Sequence, residues 1–156
     1  MQKLFFLTLL VVVVNIATSS AQDLSAQRKK HFNTEDNLAI EGYDPVSYFA
    51  DKKAAKGKST WSFNYGNVMY YFNSQAHLNL FKKNPTGYEP QFGGWCAYAM
   101  GNTGEKVEID PKTFKIVNDK LYLFYNKFFN NTLKTWNTNE GNLTKQANTN
   151  WSKIFK

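Results

Sequence analysis

Trp61-Ser62-Phe63-Asn64-Tyr65-Gly66-Asn67-Val68-Met69-Tyr70-Tyr71-Phe72-Asn73-Ser74 is the stretch that decides the fold. Trp61, Phe63 and Tyr65 alternate with Ser62 and Asn64, which is the period of two expected of a strand with one buried face. Gly66-Asn67 is a two-residue turn signal, and Val68, Tyr70 and Phe72 resume the alternation. Thr60–Phe72 therefore reads as a β-hairpin. Ser74 then offers a helix cap, and Pro85 stops the helix near Asn84. On that helix Ala76, Leu80 and Phe81 are expected to face inward. His77 and Phe81, four apart, share one side.

The same logic extends outward. Phe114–Val117 and Leu121–Tyr125 flank Asn118-Asp119, a second hairpin. Asp44-Pro45 has the form of a cap followed by proline in the first helical turn, so Pro45–Phe49 reads as a short helical turn. Gly93-Gly94 precedes a short helix over Trp95–Met100 that ends at Gly101. Its alternation of small and large residues implies close packing. At the C-terminus Phe129, Leu133 and Trp136 form one helical stripe. Leu143, Ala147, Trp151 and Ile154 form another. The expectation is an α+β domain: a small antiparallel sheet made of two hairpins, with helices packed on it and C-terminal helices.

Three segments are expected along the chain. Residues 1–21 carry Lys3, an apolar run from Leu4 to Val14 and the small residues Ser19-Ser20-Ala21, the pattern of a cleaved signal peptide. The run is about 11 residues, short of the roughly 20 that span a bilayer. The chain is thus expected to be exported, periplasmic or extracellular, with no membrane span in its mature form. Residues 22–37 are polar and without period, and read as a flexible arm. Residues 38–156 form the folded domain.

Composition removes several function classes. One cysteine and two histidines allow neither a disulfide framework, nor a cysteine-only metal site, nor a three-histidine centre. Lys and Arg total 19 against 12 Asp and Glu, a net +7, yet Arg28 is the only arginine. Nucleic-acid reading relies on the rigid arginine fork, so nucleic acid is not an expected partner. Phosphate-binding glycine loops, His-Glu-x-x-His and Gly-x-Ser-x-Gly are all absent.

What chemistry remains centres on Cys96. One reading is a small packing residue. A second is a thiol nucleophile lowered in pKa by a helix start, with His31 or His77 as base. A third is a soft-metal or small-ligand site. Cys96 and Met100 are four apart on one helix face, and a neutral His77 could join them around Cu(I) or another soft metal. The tyrosines, among them Tyr43 and Tyr98, are dense enough to line a pocket for a planar ligand, or to fill a core.

Val68-Met69-Tyr70-Tyr71-Phe72-Asn73-Ser74, followed by Phe81 and Asn84-Pro85-x-x-Tyr88, resembles the YHS domain. The longer frame is similar to the exported, single-domain branch of that family. Its marks are Gly42-Tyr43-Asp44-Pro45-Val46-Ser47-Tyr48-Phe49, the run Gln91-Phe92-Gly93-Gly94-Trp95-Cys96-Ala97-Tyr98-Ala99, Leu121-Tyr122-Leu123-Phe124-Tyr125-Asn126 and the closing Ala147-x-x-Asn150-Trp151. The resemblance covers residues 38–156 and implies an α+β fold. Asn73 and His77 stand where the metal-linked members carry cysteines, so metal ligation is not implied by the family. The expected function is an exported binding module for a small molecule or metal ion. A thiol-dependent enzyme or redox protein using Cys96 and a structural envelope protein are the alternatives. No particular protein partner is indicated.

Overall fold

The computed structural model describes residues 22–156; the signal-peptide reading falls on residues 1–21, outside them. Both expected hairpins form. In the first, β3 (Lys58–Tyr65) pairs antiparallel with β4 (Val68–Phe72), with Phe63 opposite Tyr70 and Tyr65 opposite Val68. Gly66 and Asn67 both take positive φ, 54° and 65°, the turn whose twist matches that of the strands. In the second, β5 (Asp110–Val117) pairs with β6 (Lys120–Phe124) across Asn118 and Asp119, again both at positive φ.

The architecture is α+β, but the hairpins do not share one sheet. Two short strands, β1 (Thr34–Glu35) and β2 (Leu38–Ala39), extend the first hairpin into a four-stranded sheet of order β1-β2-β4-β3. β2 lies parallel to β4 through Leu38 and Met69, so this sheet is mixed rather than antiparallel. The second hairpin stands alone as a two-stranded sheet.

The segment read as a flexible arm is ordered. A helix, α1, runs over 22–31, and β1 and part of β2's approach follow it. The physical reason is Arg28, which is buried. Its guanidinium donates to both carboxylate oxygens of Glu89, at 3.0 Å to Oε2, and to the Tyr65 and Gly66 carbonyls at 3.2 Å each. It also lies over the rings of Phe32 and Tyr65. The Tyr70 hydroxyl completes the shell of Glu89. Burial alone would lower the Arg28 pKa, yet the Glu89 hydrogen bond and charge raise it. Burial and the Glu89 charge push the Tyr70 hydroxyl well above its usual range. A polar segment without period thus docks through one fully partnered cation.

Asp44 does for the middle of the chain what Arg28 does for its start. Its carboxylate is fully buried and accepts from the backbone N–H of Val46 at 2.8 Å and of Asn73 at 2.9 Å. Ser47 Oγ donates to the Asp44 carbonyl and accepts from Ala55 N–H. The turn leads into α2 (Ser47–Ala50), close to the expected place. Ser74 caps α3 (Gln75–Lys83) by accepting from His77 N–H at 3.2 Å. The inward face of α3 differs from expectation: Leu78 and Phe81 are buried while Ala76 and Leu80 are exposed. Phe81 sets the helix rotation, because it packs on Tyr70 and Phe72 of β4. A short turn, α4 (Pro85–Tyr88), follows.

The rest of the chain builds a second core. α5 (Ala97–Asn102) crosses α7 (Glu140–Ile154) so closely that a Cβ at Gly101 would lie 2.6 Å from the Leu143 carbonyl oxygen. Met100, Phe124, Trp136, Leu143 and Ala147 pack there. α6 (Thr132–Thr138) carries Leu133 and Trp136 as expected. Phe129 does not join that stripe. It sits in the turn of a further small hairpin formed by β7 (Asn126–Lys127) and β8 (Asn130–Asn131), and points to solvent. At the start of α7, Glu140 accepts from Lys115 Nζ at 2.8 Å and from Trp136 Nε1 at 3.0 Å.

Removing one member of the buried ion pair leaves the other uncompensated. Arg28→Ala is therefore expected to lower the unfolding free energy by about 3–5 kcal/mol, read from urea titration; a loss near zero would show that α1 docks without its guanidinium. The Glu140 carboxyl is held below its ordinary range, first by the Lys115 hydrogen bond and then by that from Trp136. Its contribution is present above the unfolded pKa and lost as pH falls through the folded one. The Tm deficit of Glu140→Gln should thus be visible at neutral pH and shrink on acidification through the carboxylate range.

Candidate functional site

The backbone brings Cys96 and Tyr98 to one cavity and leaves the other expected site residues elsewhere. Cys96 immediately precedes α5, with its own N–H bonded to the Val107 carbonyl at 2.9 Å. Its side chain is 0% exposed. Sγ accepts the Tyr125 N–H at 3.3 Å and lies 3.5 Å from Thr132 Oγ1. The Thr132 hydroxyl has one proton, and it goes to the Tyr125 carbonyl at 2.9 Å. Toward Cys96 that hydroxyl can only accept, so the thiol Sγ–H is the donor. The thiol is thus fastened on both sides by neutral partners.

Above it lies an open cavity of about 430 Å³ whose walls include Tyr98, Ala99, Val107 and Tyr125, with Asn102 and Glu105 as polar groups. Two phenol rings, aliphatic walls and a few polar side chains thus surround one opening. Thr132 was not singled out by any sequence motif. Its signal is only that it follows Asn131, which caps α6 by accepting from Leu133 N–H.

His77 is not part of this cavity. Its Nδ1 lies 2.6 Å from Asp44 Oδ2, and since a carboxylate only accepts, Nδ1 carries the proton. The opposite nitrogen, Nε2, faces Asp51 Oδ1 at 3.9 Å. Among the described residues His77 and Cys96 share no hydrogen-bond partner. Each was drawn into a separate hydrogen-bonded cluster, His77 by the buried Asp44 and Cys96 by Tyr125 and Thr132. His31 does not supply a base either: its Nδ1 is 3.1 Å from Lys106 Nζ, and desolvation with the nearby lysine charges lowers its pKa.

Met100 is fully buried in the second core, and no cluster of three or more His, Cys, Asp or Glu side chains suited to a metal ion occurs among the described residues. Of the expected soft-metal set, Met100 packs in the second core, His77 bonds Asp44 and Cys96 bonds Tyr125 and Thr132. Tyr43 lies beneath the Lys56 ammonium, 4.3 Å from its ring centre, and forms a backbone bridge with Lys56. Among the described residues no helix is long and apolar enough to cross a membrane.

A thiol so enclosed should react with Ellman's reagent only as fast as the fold opens. Adding urea through the unfolding transition should release the single thiol in step with the loss of tertiary signal, whereas immediate labelling of the native protein would mean that Cys96 is accessible. Compared with family models, with curated proteins and with solved structures, the chain matches none.

Proposed function

We propose that the protein is an exported binding module of YHS type whose ligand is a small organic molecule with a flat apolar face, held in the cavity above Cys96. The observation that carries this reading is the composition of that cavity: Tyr98 and Tyr125 with Val107 and Ala99, and Asn102 and Glu105 able to orient a polar group. Cys96 acts as part of the floor. Its proton is engaged by Thr132, and neither His31 nor His77 hydrogen-bonds to it. The signal-peptide pattern expected over residues 1–21 and the motifs resembling the YHS family support the same reading from the sequence side.

The test is native mass spectrometry of the protein purified from the cells that make it. A bound organic mass in the wild type, lost in Tyr98→Ala while the circular dichroism spectrum is unchanged, is the expected result. Wild-type protein with no bound mass, or a mass that Tyr98→Ala retains, overturns the proposal. A copper ion lost in Cys96→Ser would favour the soft-metal alternative instead.

A further inference from the structure

The described residues contain four two-residue hairpin turns, and all four place both turn residues at positive φ. Three use the residue types that conformation favours, Asp36-Asn37, Gly66-Asn67 and Asn118-Asp119. The fourth, between β7 and β8, uses Phe128-Phe129, with φ of 52° and 64°. Bulky side chains are outliers in the left-handed region. Among the described residues nothing offsets that strain, because neither ring is covered: Phe128 is 89% and Phe129 110% exposed. Strain and apolar exposure at the same two residues are features that fold stability alone does not explain.

We infer that the Phe128-Phe129 turn is a wedge that inserts into the interfacial region of an anionic lipid bilayer. The size of the patch argues against a protein partner. Two phenylalanine rings bury about 150–250 Å² each, well below the roughly 800 Å² per partner of a stable protein interface or dimer. The neighbours of the rings suit a headgroup zone: Asn126, Asn130 and Asn131 flank them. Charge agrees. Residues 120–139 contain Lys120, Lys127 and Lys134 and no Asp or Glu, within a chain of net charge +7, and all three lysines are exposed. Glu35, Glu41 and Glu108 line a cleft that Lys127 also borders, so the basic stretch is bounded on that side. Apolar rings next to the Lys127 ammonium, on a chain of net positive charge, match the requirements of interfacial binding. The inference does not rest on the ligand reading of the Cys96 cavity.

The experiment is co-sedimentation of the chain, as recovered from the cells that make it, with vesicles of equimolar phosphatidylglycerol and phosphatidylcholine. Wild type is expected to pellet with these vesicles and less with phosphatidylcholine alone. The double variant Phe128→Asn/Phe129→Gly installs the residues the turn prefers. It is expected to raise Tm while lowering the partition coefficient at least tenfold. Phe129→Trp, which keeps a ring at the tip, is expected to bind as wild type does and to gain a vesicle-dependent blue shift in tryptophan emission over the wild-type background. The inference is overturned by wild type that stays in the supernatant, by a double variant that binds equally, or by a Phe129→Trp chain that pellets without the shift. A double variant less stable than wild type, or a concentration-dependent dimer that the double variant abolishes, overturns it as well, the latter in favour of a second copy of the chain.

Discussion

A guanidinium buried against a carboxylate ties the first helix to the middle of the chain. Arg28 reaches from α1 to Glu89, and through the Tyr65 and Gly66 carbonyls it clasps the turn of the first hairpin. Such a pair contributes little net stability compared with apolar packing of similar volume, because both charges lose their water. What it supplies is selection of one arrangement. No other register of α1 satisfies Glu89 and Tyr70 together, and any that separated them would leave a buried charge without a partner. The mixed sheet follows from this, since α1 delivers the chain to β1 and β2, and β2 must then run parallel to β4.

Asp44 imposes a second constraint of the same kind. Its carboxylate takes N–H groups from Val46 and Asn73 and the Nδ1–H of His77, joining the turn before α2 to the chain around the start of α3. The phenolic and aromatic core then fills around it, with Phe81 contacting Phe63, Tyr65, Tyr70 and Phe72. The hairpins, the Ser74 cap and the α7 stripe were legible because each depends on residues close in sequence: alternation, a glycine or asparagine turn, a hydroxyl before an apolar run. The ordering of residues 22–37 was not legible, because it depends on a partner 61 residues away. A lone arginine in a polar segment carries no periodic signal. The α3 face was misjudged for a related reason: periodicity on a nine-residue helix admits two adjacent rotations, and the contact with β4 decides between them.

The candidate site was legible in part. Cys96 and Tyr98 lie two residues apart, and the structure keeps them in one cavity. His77 was expected to join Cys96, but spacing along the chain says nothing about which buried carboxylate will claim an imidazole. Met100 was placed on the helical face of Cys96 correctly in spacing, yet the close crossing of α5 and α7 at Gly101 turns that part of the helix into the core. Tyr125 and Thr132 reach Cys96 only through tertiary packing, which no local motif encodes.

The solitary arginine has one more consequence, for the chemistry of the surface. Every exposed cation of the described residues other than a histidine is a primary amine, since the one guanidinium is enclosed. Acylating agents can therefore strip the outer positive charge without touching the ion pair that anchors α1. An arginine-specific protease, conversely, meets a single peptide bond it recognises, and that bond is presented only when α1 lifts off. Cleavage after Arg28 thus reports the undocking of one helix in a protein whose remaining surface is invisible to the enzyme.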